Sequence, residues 1–342
     1  MQQDMVSPAP APATAATATA AGRLPAGVTR ADPAFRSDVL RCFESEVRAI
    51  PARWLYDQRG SELFEAITDL PEYYPTRTEI GIMDAAADQI AARIEPGRAL
   101  VEFGSGSSRK TPRLIEAVSP AAYVPIDISG DFLRHSAAAV QARFPDLSVL
   151  AVEADFMHPF DLPDAVAGLG KLGYFPGSTI GNMIPRTSVD LLRAMRTTLG
   201  TGAMLLIGMD RVKGEELLVP AYDDAAGVTA AFNLNLLTRI NRELVADIPV
   251  DAFRHRAIWN DNQARIEMHL EATRPLRFSV AGRNFAMDAG ETIHTENSHK
   301  YGPRDARLLL RAGGWTPMAE WCDEDCLFCI ILAEARASRH AP

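Results

Sequence analysis

Residues 100–111 read LVEFGSGSSRKT, and no other stretch constrains the fold as strongly. Leu100, Val101 and Phe103 form a short apolar run around Glu102, which predicts a buried strand. Gly104-Ser105-Gly106 then turns the chain, and Leu114, Ile115 and Val118 follow at helical spacing. Strand, glycine turn and helix make the opening unit of a doubly wound α/β fold. Glycines let the backbone reverse sharply and let a ligand approach the main chain closely. Two glycines alone are a weak signal, because ordinary turns share them. The context adds weight. Asp127 ends a second apolar run, 121–126, and such folds hold a ribose hydroxyl on an acid about 20 residues past the turn.

The alternation continues. Strands are expected at 121–126, 147–152, 173–180 and 203–209, with helices at 131–144 and 191–199. A parallel sheet with helices on both faces follows. Ligands of such sheets bind at the carboxyl ends of the strands, where Asp127, Asp155 and Asn182 fall. Ahead of the sheet, Phe35, Val39, Leu40 and Phe43 mark one helix face. Stretches 54–61 and 70–78 read as loops before helices at 62–67 and 79–94. Thr76 or Thr78 is the expected cap of the latter, with Ile80, Met83, Ala87 and Ile90 facing its core. After Asp210 the alternation breaks. Residues 223–244 read as one long helix. Residues 265–273 read as a half-buried strand, with Ile266, Met268 and Leu270 on one face and Glu267, His269 and Glu271 on the other. Short strands at 276–278 and 284–287 flank a turn at Ala281-Gly282. A helix at 306–312 and strands at 315–321 and 327–332 complete a seven-stranded sheet with an antiparallel last pair. The expected domains are 79–212 with 301–338, and a second made of 26–78 and 213–300 that covers the ligand face.

The chain has 342 residues, 47% hydrophobic and 23% charged, enough for one large or two modest domains. A net charge of −9 counts against a nucleic-acid partner, which needs a basic surface. No apolar stretch nears the ~20 residues that span a bilayer, so no membrane partner is expected. Residues 1–25 are mostly Ala, Pro and Thr and are expected to be a disordered, dispensable tail. They lack the basic start and apolar block of a secretory signal, so the expected location is cytoplasmic, with reduced cysteines. Cys326-Leu-Phe-Cys329 has the form C-x-x-C, but no second pair is spaced to complete a zinc site. No metal is expected, and Cys329 reads as a small apolar residue in a buried last strand.

Six separated stretches carry a more specific signal: YDQRGSELFEAITDLPEYYPTRTE, VEFGSGSSRKT, FPGSTIGNM, AAFNLNLLTRINREL, IEMHL and IHTENSHKY. Over residues 32–336 the chain resembles the L-histidine Nα-methyltransferases of ergothioneine biosynthesis, a family of S-adenosylmethionine-dependent methyltransferases. The resemblance implies a Rossmann-like class I methyltransferase fold, α/β with a seven-stranded mixed sheet, plus a smaller α+β substrate domain. It implies that S-adenosylmethionine lies against Gly104 and Gly106. Asp127 would hold its ribose, Asp155 and Phe156 its adenine, and Lys110 would lie near its charged tail. L-Histidine would bind between the domains, with its carboxylate on Asn182 and Tyr222. Tyr56 and Tyr73 would surround its amino group. Glu296 and Ser298 would hold its imidazole, with Met268 on the apolar edge. Tyr56 is the candidate catalytic residue, orienting the amine and relaying its proton. Three transfers would give the betaine hercynine, and a monomer is expected. Asn297 departs from the aliphatic residue expected there in some relatives, which bears on the shape of the imidazole end. The alternative is an N-methyltransferase of this fold acting on another amine such as tryptophan. Glu296 counts against an unsubstituted aromatic ring, since a pocket carboxylate left unpaired is costly. A cofactor-binding module without catalysis is a further alternative, and the tyrosine and asparagine set speaks against it.

Overall fold

The computed structural model describes residues 32–106, 110–128 and 130–336. The tail expected at 1–25, and Ser107 and Ser108 of the glycine turn, lie outside the described residues.

Among the described residues, three α-helices precede the sheet: α1 Pro33–Glu44, α2 Gln58–Thr68 and α3 Tyr74–Ala91. Asp32 caps α1, accepting from the Ala34 N–H at 2.7 Å. Asp57 caps α2 through the Gly60 N–H at 2.8 Å, so this helix begins inside the stretch read as a loop. The helix expected from 79 begins at Tyr74, with Pro75 in its first turn and neither threonine as its cap. A proline there lacks only an N–H that would have no partner, and its φ suits the helix. Tyr73 and Tyr74 are therefore buried at a helix start. The buried face of α3 is Glu79, Ile82, Met83, Ala86 and Ile90, rotated from the expected set to include Glu79.

The alternating elements follow: β1 Ala99–Phe103, α4 Thr111–Val118, β2 Ala122–Asp127, α5 Gly130–Arg143, β3 Ser148–Val149, β4 Val152–Glu153, β5 Lys171–Phe175, α6 Pro185–Leu199 and β6 Met204–Asp210. β1 lies parallel between β2 and β5, and β5 is parallel to β6. The expected third strand is two short pieces, β3 and β4, both parallel to β2. The expected fourth strand stops at Phe175 rather than at 180. Pro176 lacks an N–H to extend the ladder, and Thr179–Asn182 wind into a 3₁₀ turn.

Beyond β6 come α7 Glu215–Leu218 and α8 Val228–Leu244. α8 begins later than 223 because Asp224 accepts from the Val228 and Thr229 N–H groups at 3.0 and 2.7 Å. Then come β7 Phe253–Asn260, β8 Arg265–Ala272, β9 Leu276–Val280, β10 Arg283–Met287 and β11 Thr292–His299. β7, β8 and β11 form an antiparallel sheet with β8 central, and β9 and β10 form a hairpin. β8 is not half-buried as expected. Glu267 and Glu271 on its second face are buried too, Glu267 by Arg265 and Asn260, and Glu271 by Arg254 and Arg256. The described residues end with α9 Pro303–Ala312, β12 Thr316–Cys322 and β13 Phe328–Glu334. β13 runs antiparallel between β6 and β12. The large sheet thus reads β12-β13-β6-β5-β1-β2, with β3 and β4 sharing the last place. This is the expected mixed sheet with seven positions.

Apolar side chains gather separately around each region. Phe35, Trp54 and Leu63 pack in one cluster with Phe232, Leu236, Met268 and Ile293, joining the N-terminal helices to the small sheets. Two further clusters cover the faces of the large sheet. Cys329 is buried in β13, and burial pushes its thiol pKa up, which agrees with its reading as a small apolar residue. No helix among the described residues is long and apolar enough to cross a membrane.

The two regions touch backbone to backbone where the 3₁₀ turn meets β11. The ring of His299 bonds the Gly181 carbonyl at 2.8 Å. A Cβ on Gly181 would stand 2.8 Å from the His299 carbonyl oxygen and 3.1 Å from its nitrogen. Neither backbone atom can swing aside as a flexible side chain would. Gly181→Ala should therefore cost about 1–3 kcal/mol of stability, the range for overpacking. Thermal melting checks this, and an unchanged midpoint would mean the contact is slack.

Candidate active site

The cofactor edge is built where β1 and β2 end. Gly104 and Gly106 have φ of +69° and +49°, a left-handed conformation that favours glycine. The Gly104 and Ser105 N–H groups donate to the Ile126 carbonyl at 2.9 and 3.0 Å, which ties the turn to β2. The Gly106 N–H donates to the Asp127 carboxylate at 3.1 Å. The Asp127 carbonyl accepts from the Ala154 N–H at 3.2 Å, bringing Asp155 and Phe156 to the same edge. The Phe156 ring would lie 3.6 Å from a Cβ on Gly104, so a side chain at that position would narrow the gap between turn and ring. Asp155 is exposed and accepts from the Met157 N–H at 3.0 Å. A turn of two glycines, an acid at a strand end and an aromatic ring fit a nucleoside carrying a ribose diol. Lys110 stands differently from the others. Its ammonium is committed to Glu79, which is wholly buried and also accepts from the Gly177 N–H at 2.9 Å.

The second group of expected residues meets on the inner face of the small sheet. The pairing of β11 with β8 shifts register between His294 and Glu296. Such a bulge turns the following side chains to the other face. Glu296 thereby stands opposite Met268, with Ser298 two residues further along the same face. The Tyr56 hydroxyl and the Asn182 amide both approach the Glu296 carboxyl. Tyr56 follows a 3₁₀ turn, Ala52–Leu55, and its ring is edge-on to Phe64 and Phe232 at 5.5 and 5.4 Å. The Tyr73 ring is edge-on to Tyr222 at 6.0 Å. The Tyr222 hydroxyl bonds Ser298 Oγ at 2.7 Å. Tyr56, Tyr73, Asn182, Tyr222, Met268, Glu296 and Ser298 are thus one constellation, drawn from elements far apart in the chain.

Burial dominates the electrostatics here. It pushes the Glu296 carboxyl up to about 8, against the opposing pull of Lys300, Tyr56 and Asn182. The phenols of Tyr56, Tyr73 and Tyr222 are also pushed up, by burial first, so they stay protonated at neutral pH.

Behind this constellation lies a charge cluster that the sequence reading missed. Asp210, wholly buried at the end of β6, accepts from the Tyr74 hydroxyl at 2.7 Å, Lys213 at 2.5 Å and Lys300 at 2.6 Å. Burial alone would raise its carboxyl, but Lys300 and Lys213 outweigh this and hold it below the usual carboxylate range. Burial lowers Lys213 to about 8 despite its partner. Lys300 also donates to the Tyr222 hydroxyl and to Ser298 Oγ, each at 2.8 Å. The strand-end rule that picked out Asp127 would also have found Asp210. Lys300 stands inside the IHTENSHKY stretch, but nothing local shows where its ammonium goes.

On the outer face of the small sheet, Glu267, His269 and His294 bring potential metal-ligating atoms within 4.8 Å of one another. Arg265, Asn260 and His269 already occupy the Glu267 carboxylate, while His269 Nδ1 is buried without a hydrogen-bond partner.

A family model described as histidine-specific methyltransferase, SAM-dependent, matches residues 35–335. The histidine N-alpha-methyltransferase of Mycolicibacterium smegmatis is 41% identical over 310 residues, covering 89% of this chain and 95% of that protein. The protein of the same name from Mycobacterium tuberculosis is 41% identical over 307 residues, covering 88% and 94%. Ergothioneine biosynthesis protein 1 of Neurospora crassa is 29% identical over 301 residues, 85% of this chain but 34% of the fungal protein. With the family match spanning both regions and two relatives aligned nearly end to end, the chain belongs to the histidine-specific, S-adenosylmethionine-dependent methyltransferases.

Proposed function

We propose that the protein methylates the α-nitrogen of L-histidine three times, giving hercynine, as a step of ergothioneine biosynthesis. The observation that carries this is Glu296: a buried carboxyl, aimed by a strand bulge, beside Ser298 and opposite Met268. Such a group suits a ring that offers N–H and nitrogen at its edge. Asn182 and Tyr222 offer neutral donors for the amino-acid carboxylate. Tyr56 and Tyr73 enclose the amino group. On the other edge, Asp127 accepts from the ribose hydroxyls, and Asp155 and Phe156 flank the adenine.

S-Adenosylmethionine supplies the methyl group from its sulfonium. The work of the chain is to align the nitrogen with that carbon and to exclude water. Only a neutral amine has a lone pair to attack, so a proton must leave, ultimately to water, before each of the three transfers. The Tyr56 phenol is kept protonated by burial and stands beside Glu296. It orients the amine and relays the proton rather than storing it. Aromatic faces of Tyr56 and Tyr73 suit a quaternary product through cation–π attraction.

Incubating the protein with histidine and S-adenosylmethionine should yield mass gains of one, two and three methyl groups. Methylation of tryptophan with histidine untouched would overturn the reading. Glu296→Ala should lower kcat/KM for histidine by as much as ~10⁴-fold, while any turnover of phenylalanine changes little. An unchanged ratio of the two efficiencies would remove Glu296 from imidazole recognition. A third expectation concerns pH. The native Glu296 carboxyl keeps its proton up to about 8, whereas in the unfolded chain it loses it near the ordinary value of 4.5. Its folded pKa is raised, so the stability it contributes is fully present below the unfolded value and is lost as pH rises through the folded one. Glu296→Gln lacks that loss. Its melting temperature should gain on the parent from about pH 5 to about pH 9, by roughly a few degrees. A constant difference across that range would contradict the shift.

A further inference from the structure

We propose that Lys300 is the positioning residue of the substrate pocket, joining Tyr222 and Ser298 into one unit with a single hydroxyl proton to give, so that Ser298 meets the imidazole as an acceptor. The inference rests on the reading above, in which Tyr222 meets the carboxylate and Ser298 the ring.

The argument is a count of protons. The Lys300 side chain is wholly buried. An ammonium has three N–H donors and no acceptor. Its three partners are Asp210 at 2.6 Å, Tyr222 at 2.8 Å and Ser298 at 2.8 Å, so every donor is spent. Asp210 is itself held by Lys213 and Tyr74, which leaves the ammonium no room to swing. The two hydroxyls stand 2.7 Å apart, so one of their two protons is used between them. One proton remains for the substrate.

A carboxylate only accepts. When it sits at Tyr222 it takes that proton. Ser298 must then donate to Tyr222. One lone pair of Ser298 already faces Lys300, and the other is left for the ring, where it accepts an N–H. Engaging the carboxylate at one end thus dictates the sense of the hydrogen bond at the other. A ring with only a bare nitrogen at that point would meet a lone pair with a lone pair. Without Lys300 the hydroxyls could rotate and the preference would relax.

The test is a set of double-mutant cycles read by calorimetry, titrating histidine into protein saturated with S-adenosylhomocysteine. The variants are Lys300→Met, Tyr222→Phe, Ser298→Ala and the two doubles that contain Lys300→Met. Lys300→Met leaves Asp210 its Lys213 and Tyr74 partners. Lys300→Gln, which keeps an amide donor in place, serves the same cycles if the first variant does not fold. Lys300→Met should weaken histidine binding roughly 10- to 100-fold, the scale of lost hydrogen bonds to a charged group. Affinity for S-adenosylhomocysteine should stay within about twofold, and each double should bind little worse than its weaker single variant. An analogue whose ring nitrogen only accepts, 3-(4-pyridyl)alanine, should be rejected by the parent and gain relative to histidine in Lys300→Met. Additive doubles, or histidine and S-adenosylhomocysteine affinities falling in step, would overturn the role of Lys300 while leaving the pocket reading intact. If Tyr222→Phe and Ser298→Ala each leave histidine binding unchanged, the pocket reading fails and the role of Lys300 fails with it.

Discussion

The joint between the large and small sheets depends on one buried carboxylate. Asp210 ends β6 with no exposure to solvent, and an isolated carboxylate there would be severely destabilising. Its partners come from four places: Tyr74 at the start of α3, Lys213 after β6, Lys300 after β11, and Ser178, whose hydroxyl accepts from the Asp210 N–H at 2.9 Å. Removing one partner from such a cluster typically costs about 3–5 kcal/mol, because the remaining charges stay buried. The large sheet and the small one are therefore keyed to each other at the strand ends where ligands of this fold bind. The arrangement carries two cations against one anion, and Lys300 also pulls on the nearby Glu296 carboxyl.

The cofactor edge repeats this design on a smaller scale. Glu79 is wholly buried on α3 and holds both Lys110 and the Gly177 N–H. Those contacts fix the segment after β5 relative to the segment after β1. At both edges an interior carboxylate adds directional bonds to the apolar packing of residues such as Ile180 and Tyr301.

The bulge in β11 shows how a local irregularity makes a site. In a regular strand His294 and Glu296 would share a face, since side chains alternate with a period of two. The register shift between them puts His294 beside His269 on the outer face and Glu296 opposite Met268 on the inner one. One extra residue separates a surface cluster from the constellation around Tyr56 and Asn182.

The sequence by itself determined the elements whose cause is local. The alternating apolar runs, the left-handed glycines at 104 and 106, and the acid at the end of β2 follow from periodicity and backbone sterics within a few residues. The sheet order follows from these by the usual rules of α/β folds, so the large sheet was legible. Pro176 and Pro75 shifted element ends for local reasons that the apolar pattern hid. The motif stretches named the residues of the constellation through resemblance, but not their contacts. Only the tertiary structure decided which face Glu296 takes, that Lys110 is bound to Glu79, and that Lys300 spans Asp210, Tyr222 and Ser298. Each of these depends on atoms brought together from distant parts of the chain. A buried charge takes its position from partners that no local pattern specifies, because its energy depends on the whole enclosure around it.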